Sequence, residues 1–294
     1  MRTVGGQSET GRLVRVAVKH AGDAFRSEAE IDREWRALRY TARPERATAL
    51  TEYDRFLELL EAAGVEIVRL PADERVSLDS LYVRDASVVC DAGLILCNMG
   101  KPERRTEPSA AAAAFEAAGV PIHGRVTGDA RLEGGDVCWI DARTLAVGQG
   151  YRTNAAGIGA LRALVAGLVD DVIVVPLPHW HGPDDVFHLM SIVSPIDRDL
   201  FLVYAPLLPV PFRDALLARE IELVEVPDAE FETLGVNVLA LGGREALMVS
   251  GNPVTRSRLE RAGVRVHEFA GREICLKGGG GPTCLTRPLA RVVS

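Results

Sequence analysis

The sequence predicts an α/β fold made of five repeats of one strand–strand–helix–strand unit. A helix-end phrase recurs in Ala62-Ala63-Gly64-Val65, Ala117-Ala118-Gly119-Val120 and Arg261-Ala262-Gly263-Val264, each running into a β-branched stretch. In each, the glycine stands where a helix needs a left-handed residue just past its end. Pairs of apolar segments joined by turn residues stand ahead of most helical segments, and the copies recur at roughly 45 to 60 residues. Such units cannot each bury a face alone. Gathered about an axis they share a core and bring their leading ends to one mouth, so one closed domain over residues 1–294 fits better than two.

In chain order, the first unit opens with a strand at 13–18 and continues in a helix whose Leu50, Tyr53, Leu57 and Leu60 form one apolar stripe. Between them, residues 20–46 form a long connection in which Ile31, Trp35 and Leu38 suggest a short amphipathic helix. It reads either as a lid beside the mouth or as a surface helix packed on the rim. The second unit pairs 81–90 with 94–97 across Asp91-Ala92-Gly93, with the alanine-rich run 110–115 as its helix. The third pairs 137–140 with 144–147 across Asp141-Ala142-Arg143, and Ala166-Gly167-Leu168 is a looser helix end before 172–175. The fourth pairs 188–193 with 200–204, and Arg219-Glu220 ends its helix without the glycine. The fifth pairs 236–241 with 246–249 across Gly242-Gly243-Arg244. All of these turns carry suitable hairpin residues.

With 294 residues and an apolar share of 47%, the chain has the composition of a globular protein with a sizeable core. A net charge of −7 argues against nucleic acid as a main partner. No apolar run approaches the roughly 18 residues of a membrane span, so no membrane is expected either. Residues 1–12 are polar, lack the apolar stretch of a signal peptide and read as a loose tail. Five cysteines, without CxxC or zinc spacing, read as reduced thiols of a cytoplasmic protein. Four of them, Cys90 and Cys97 facing each other across a hairpin, Cys138 and Cys275, read as core thiols.

The residues able to do chemistry fall at the leading ends of the units. Asp79 and Asp85 stand in Ser77-Leu78-Asp79-Ser80-Leu81-Tyr82-Val83-Arg84-Asp85 before the second. Glu133 and Asp136 flank Gly134-Gly135 before the third, a pattern that alone reads equally as a tight turn. His188, in Phe187-His188-Leu189, opens the fourth, although a single histidine on an apolar strand is more often a core residue. Cys284 ends the run Lys277-Gly278-Gly279-Gly280-Gly281-Pro282-Thr283-Cys284. A phosphate loop would place its lysine after the glycines, and a connector rarely runs straight into Pro-Thr-Cys. A nucleophile loop is the remaining reading, and it needs a base and an orienting acid from elsewhere. His179, His181, Asp184 and Asp185 are of metal-ligand type, but read better as the loop leading to His188.

Taken together, Leu-Tyr-Val-Arg-Asp, Leu-Glu-Gly-Gly-Asp, Phe-His-Leu and Gly-Gly-Gly-Gly-Pro-Thr-Cys resemble the cysteine-dependent guanidine-modifying superfamily. That superfamily contains arginine deiminase, dimethylarginine dimethylaminohydrolase and the amidinotransferases, and shares a five-bladed α/β propeller, the pentein fold. The resemblance implies Cys284 as nucleophile, His188 as general acid and base, and Glu133 as the acid that orients it. It implies Asp85 as the carboxylate gripping a guanidinium, Asp79 as a second acid, and Arg104 and Arg152 as holders of a substrate carboxylate. Tyr82 and Asp136 join the substrate-binding set, with Asp136 open to serving the loop instead. No cofactor and no metal are implied, and the partner is a small guanidino compound. A homodimer is compatible with the sequence, which does not set the oligomeric state.

The activity implied is hydrolysis of the guanidine C–N bond of arginine or an Nω-methylated arginine, through a thiouronium on the cysteine. An amidinotransferase is the alternative among enzymes. A binding protein for cationic amino acids is the alternative outside them, and the joint presence of Cys284, His188 and Glu133 argues against it. Two positions divide the subfamilies. Met190 stands where deiminases carry an acid, which favours methylated arginines if Met190 lines the pocket, whereas Arg84 before Asp85 is deiminase-like.

Overall fold

Five three-stranded sheets stand as blades around one axis in the computed structural model, which describes residues 4–185 and 187–293. The first blade holds β1 (Arg12–Val18), the short helices α1 (Ala21–Phe25) and α2 (Glu28–Glu34), α3 (Arg46–Ala62) and β2 (Glu66–Arg69). The next has β3 (Ser87–Cys90), β4 (Gly93–Leu96), α4 (Glu107–Ala117) and β5 (Ile122–Arg125). The third has β6 (Val137–Trp139), β7 (Thr144–Gln149), α5 (Ala155–Leu164) and β8 (Asp171–Pro176). In the fourth are β9 (Val193–Asp197), β10 (Leu200–Val203), α6 (Val210–Leu217) and β11 (Glu222–Glu225). The fifth has β12 (Leu239–Gly242), β13 (Glu245–Val249), α7 (Pro253–Arg261) and β14 (Arg265–Phe269), and the chain ends in β15 (Arg287–Val292).

In each blade the middle strand pairs antiparallel with one neighbour and, across the helix, parallel with the other. In the first blade the antiparallel partner is β15, so the C-terminal strand closes the ring beside β1. The blade helices follow their apolar stripes. Tyr53, Phe56, Leu57 and Leu60 of α3 are buried, each contributing about 1.5–3 kcal/mol through the area it removes from water. The Glu45 carboxylate caps this helix by accepting from the Ala47 and Thr48 amides. Gly64, Gly119, Gly167 and Gly263 all take positive φ at helix ends, as the repeated phrase requires. In the fourth blade Glu220 occupies that left-handed position at φ 59, a conformation that costs a residue with a Cβ about 1 kcal/mol.

Three expectations need correction. Residues 4–12 are not a loose tail: Gly5 bridges to Ala290, and Gln7 and Glu9 are buried across the foot of the axis, while residues 1–3 lie outside the described residues. The leading segments 81–86, 188–192 and 236–238 are not strand. Leu78–Leu81, Gly134–Asp136 and Leu189–Ser191 are single tight turns of helix that deliver the chain to the axis before each blade starts. Cys90 and Cys97 lie at opposite ends of their hairpin, Cys90 beside Gly93 at the turn and Cys97 beyond Leu96, although both are buried. Among the described residues no helix is long and apolar enough to cross a membrane.

Candidate active site

The tight turns ahead of the blades explain why chemistry gathers at one end. Each turn ends a descent to the axis, and backbone bonds tie neighbouring blades there. The Arg84 amide donates to the Cys284 carbonyl at 3.2 Å, and the Gly134 amide to the Asp85 carbonyl at 2.8 Å. Gly134-Gly135 is needed for proximity. A Cβ on Gly135 would fall 2.6 Å from Asp85 Oδ1 and 2.7 Å from His188 Nδ1, so only hydrogen lets these two side chains meet across it. The glycines before Cys284 serve the same end. A side chain on Gly278 or Gly280 would collide with the Tyr82 ring, and one on Gly281 with the Asn237 carboxamide.

A cavity of about 220 Å3 opens at this mouth, lined at its charged end by Asp79, Tyr82, Asp85, Lys101, Arg104, Arg152, His188 and Cys284. Glu133 lies directly behind it, fully buried. His188 and Glu133 Oε2 share a hydrogen bond of 2.7 Å through Nε2, which leaves Nδ1 facing Asp85 Oδ1 at 4.0 Å. Burial pushes the imidazole down, but Asp85, Asp136 and Glu133 outweigh it and hold His188 above its ordinary value. Burial would likewise raise Glu133, yet the bond to His188 and the Arg152 guanidinium at 3.2 Å keep it well below the usual carboxylate range.

Asp85 has one oxygen engaged and one free. Arg104 Nη1 donates to Oδ2 at 2.5 Å, while Oδ1 is buried without a partner, and Asp85 lines the cavity. Asp79 Oδ2 is paired with Lys101 Nζ at 2.5 Å. The pocket wall is therefore a set of paired acids and cations in which one buried acceptor still lacks a donor. Burial and then the Asp85 charge push the Cys284 thiol up to about 11, against which the Asn237 hydrogen bond pulls it down. Asn237 Nδ2 donates to Cys284 Sγ at 3.2 Å while its Oδ1 accepts from the Thr283 amide at 3.1 Å, so the loop that carries the cysteine fixes the carboxamide.

The sequence reading thus meets the structure unevenly. Cys284, His188, Asp85, Asp79 and Tyr82 line one cavity, with Glu133 behind His188. Tyr82 donates its hydroxyl to the Ile274 carbonyl at 3.1 Å and presents its ring to the glycine loop. Arg104 and Arg152 also line the cavity, each already held by acids. Arg104 reaches Asp85, Glu107 and the Tyr82 carbonyl, and Arg152 reaches Glu133 and the Asp185 carbonyl. Asp136 is not a substrate contact. Both its oxygens are engaged inside the protein, one by Thr153 Oγ1 at 2.6 Å and the other by the Leu189 amide at 3.0 Å, so it anchors the turn that carries His188. Burial raises this carboxyl to about 6.

Met190 does not line the pocket either. It packs with Cys138, Ile140 and Val193 in the core between the third and fourth blades, because a single tight turn points His188 and Met190 to different sides. Met190 therefore offers no wall for a methylated substrate. Arg84 is buried in the axis with Glu9 and is also absent from the cavity wall. Sequence reasoning missed Lys101 and Asn237. Lys101 follows Met99-Gly100 with no motif to mark it, and Asn237 lies between valines in what reads as strand. The 179–185 loop supplies Trp180, His181 and Asp185 to the rim, with His179 bonded to the Tyr151 hydroxyl and Asp184 to Arg39. Arg39 and Thr41, from the 20–46 connection, complete that rim.

Asp85, Glu133 and His188 form the one group of possible metal ligands found among the described residues, their donor atoms lying within 4.8 Å of one another. Glu133 Oε2 in that group already faces both His188 and Arg152, so a metal ion would have to compete with a guanidinium. A cationic organic group at the free Asp85 oxygen fits the donor set better.

A family model described as arginine deiminase matches residues 78–212 and 207–291. The N(G),N(G)-dimethylarginine dimethylaminohydrolase of Streptomyces coelicolor is 33% identical over 244 residues, covering 81% of this chain and 84% of its own length. The dimethylarginine dimethylaminohydrolase of Pseudomonas aeruginosa, solved in complex with citrulline, has a TM-score of 0.76 over 94% of this chain and 98% of its own, at 21% identity. An amidinotransferase of Microseira wollei from a saxitoxin biosynthetic pathway has a TM-score of 0.79 over 100% of this chain and 98% of its own, at 16% identity. At these identities the two solved structures share the fold with this chain: a five-bladed α/β propeller.

Proposed function

Because the chain belongs to the arginine deiminase family, within the pentein superfamily of guanidine-modifying enzymes, we propose that it hydrolyses the guanidine C–N bond of arginine or an Nω-methylated arginine. The products are citrulline and ammonia or an amine. The observation that carries this reading is the buried, unpartnered Asp85 Oδ1 beside His188 in a cavity that also holds Cys284. A guanidinium donating to that oxygen satisfies it and brings its carbon to the thiol.

The chemistry follows from the charges. Cys284 rests as a thiol, since burial and Asp85 hold it at about 11. The incoming cation favours the thiolate, and the proton leaves to solvent. Asn237 keeps a donor on the sulfur as it ionises. Sγ attacks the guanidinium carbon and a C–S bond forms. His188, held protonated by its carboxylates, gives the Nδ1 proton to the departing nitrogen as the C–N bond breaks. The neutral imidazole then takes a proton from water, the hydroxide adds to the thiouronium carbon, and C–S cleavage returns the thiolate as the hydroxyl proton passes to the released ammonia or amine or to solvent. One water is consumed and a ureido group results. Arg152 and Arg104 are proposed to receive the α-carboxylate alongside their contacts to Glu133 and Asp85, and residues 20–46 to act as a lid through Arg39 and Thr41.

The test is product analysis with arginine, monomethylarginine, dimethylarginine and agmatine, with and without an acceptor amine such as glycine. Citrulline from at least one of the three amino acids, at a kcat/KM well above any turnover of agmatine, is expected. Ornithine that appears only with an acceptor would replace hydrolysis by amidino transfer, and ligand binding without turnover would leave a binding protein.

A further inference from the structure

Below the nucleophile, the axis holds a second charged cluster that no step above uses. Arg84, Arg287 and Arg291 are 0%, 4% and 6% exposed. Among the described residues a single carboxylate reaches them: Glu9 accepts from Arg84 Nη2 at 2.6 Å. Arg287 Nη2 donates to the Arg84 carbonyl at 2.5 Å and Arg291 Nη1 to the Gly11 carbonyl at 2.6 Å. Five guanidinium nitrogens in the trio, Arg84 Nε and Nη1, Arg287 Nε, and Arg291 Nε and Nη2, are buried with no partner. Arg287, Arg291 and Glu9 line a small cavity of about 20 Å3, with Gln7 and Ser8 of the N-terminal segment and Trp139 completing its wall.

Three cations against one carboxylate leave two positive charges in excess, and a guanidinium does not readily lose its proton. Buried charge of this kind is ordinarily paired. We propose that this cavity is a binding site for a small monovalent anion of chloride size, held between the Arg287 and Arg291 guanidiniums at the foot of the propeller. The volume sets the class. Room for one or two water-sized spheres suits a halide better than a tetrahedral phosphate or sulfate. The electrostatics agree, since burial and the Arg84 charge push Arg287 down to about 9, and burial pushes Arg291 down to about 10. A bound anion relieves that crowding. A water molecule would satisfy hydrogen bonds but leave the charge, so the two occupants differ in their response to salt identity.

The experiment compares thermal unfolding of the full chain in sodium chloride, sodium bromide and sodium gluconate at equal ionic strength, with anomalous diffraction from bromide-soaked crystals. A Tm several degrees higher in either halide, climbing with the logarithm of its concentration, is expected. So is a bromide peak within hydrogen-bonding distance of Arg287 and Arg291. Arg291→Gln should remove the halide dependence while kcat/KM stays unchanged. Equal melting in all three salts without a peak at the cavity overturns the proposal and leaves water as the occupant. A halide effect that survives undiminished in Arg291→Gln overturns it too. If that variant does not fold, the wild-type melting and diffraction decide the matter alone.

Discussion

The two ends of the propeller axis handle buried charge in opposite ways. At the mouth, Asp79, Asp85 and Glu133 each face a cation, Lys101, Arg104 and Arg152 respectively, and Asp85 Oδ1 is left as a buried carboxylate oxygen without a partner. At the foot, the orphaned atoms are donors, and Glu9 alone answers three guanidiniums. An excess acceptor at an open cavity invites a cationic substrate, which comes and goes. An excess of donors in a small cavity under the N-terminal segment suits a resident anion. The mouth pairs its acids yet keeps one buried acceptor unpartnered, whereas the foot keeps positive charge in excess, and that difference tells which kind of ligand each end takes.

Replacing residues at either end separates chemistry from stability. Cys284→Ser should have the largest effect, lowering kcat/KM by at least about 10^4, or roughly 5.5 kcal/mol, with unchanged melting. Substantial residual turnover would move the nucleophile elsewhere. Gly135→Ala should come next, because the new methyl group would enter the gap between Asp85 and His188. A fall in kcat of about 10^2-fold to 10^3-fold is expected, since misplaced catalytic groups cost that much. Wild-type kinetics in this variant would show that the two side chains need not meet across the glycine.

At the foot, Glu9→Gln should destabilise the fold by about 3 kcal/mol in denaturant unfolding, because it strips the cluster of its one carboxylate. KM should not change. A loss of turnover with intact stability would mean that the two ends are functionally one. The smallest effect is expected for Asn237→Ala, about tenfold in kcat, or roughly 1.4 kcal/mol. Its signature lies in pH. With the free thiol raised to about 11, alkylation of wild-type Cys284 by iodoacetamide should speed up about tenfold per pH unit between 7 and 9. In the variant the same rise should be displaced to higher pH. Overlapping profiles would show that Asn237 merely packs against the loop.

The sequence showed more of the mouth than of the foot. Glu133 and Cys284 stand in motifs because close backbone approach beside them leaves glycines in the sequence, and Asp85 and His188 stand at the leading ends of their own units. Glu9, Arg84, Arg287 and Arg291 carry no such mark. They come from the two ends of the chain and one central turn, and only closure of the ring by β15 beside β1 brings them together. Met190 shows the same limit at short range, since sequence adjacency to His188 said nothing about which side of a tight turn it takes.

By itself, the sequence determined the repeated unit, the helix ends and the glycine-rich approach to Cys284, because these rest on local rules: the 3.6-residue stripe, the left-handed glycine and the absence of side chains where backbones meet. Even the fourth blade, lacking its glycine, kept the local geometry by placing Glu220 in the left-handed region. Only the tertiary structure decided which charges pair. Lys101 with Asp79, Arg104 with Asp85 and Asn237 with Cys284 are contacts between different segments. The strength of each depends on burial and distance, which no local pattern encodes.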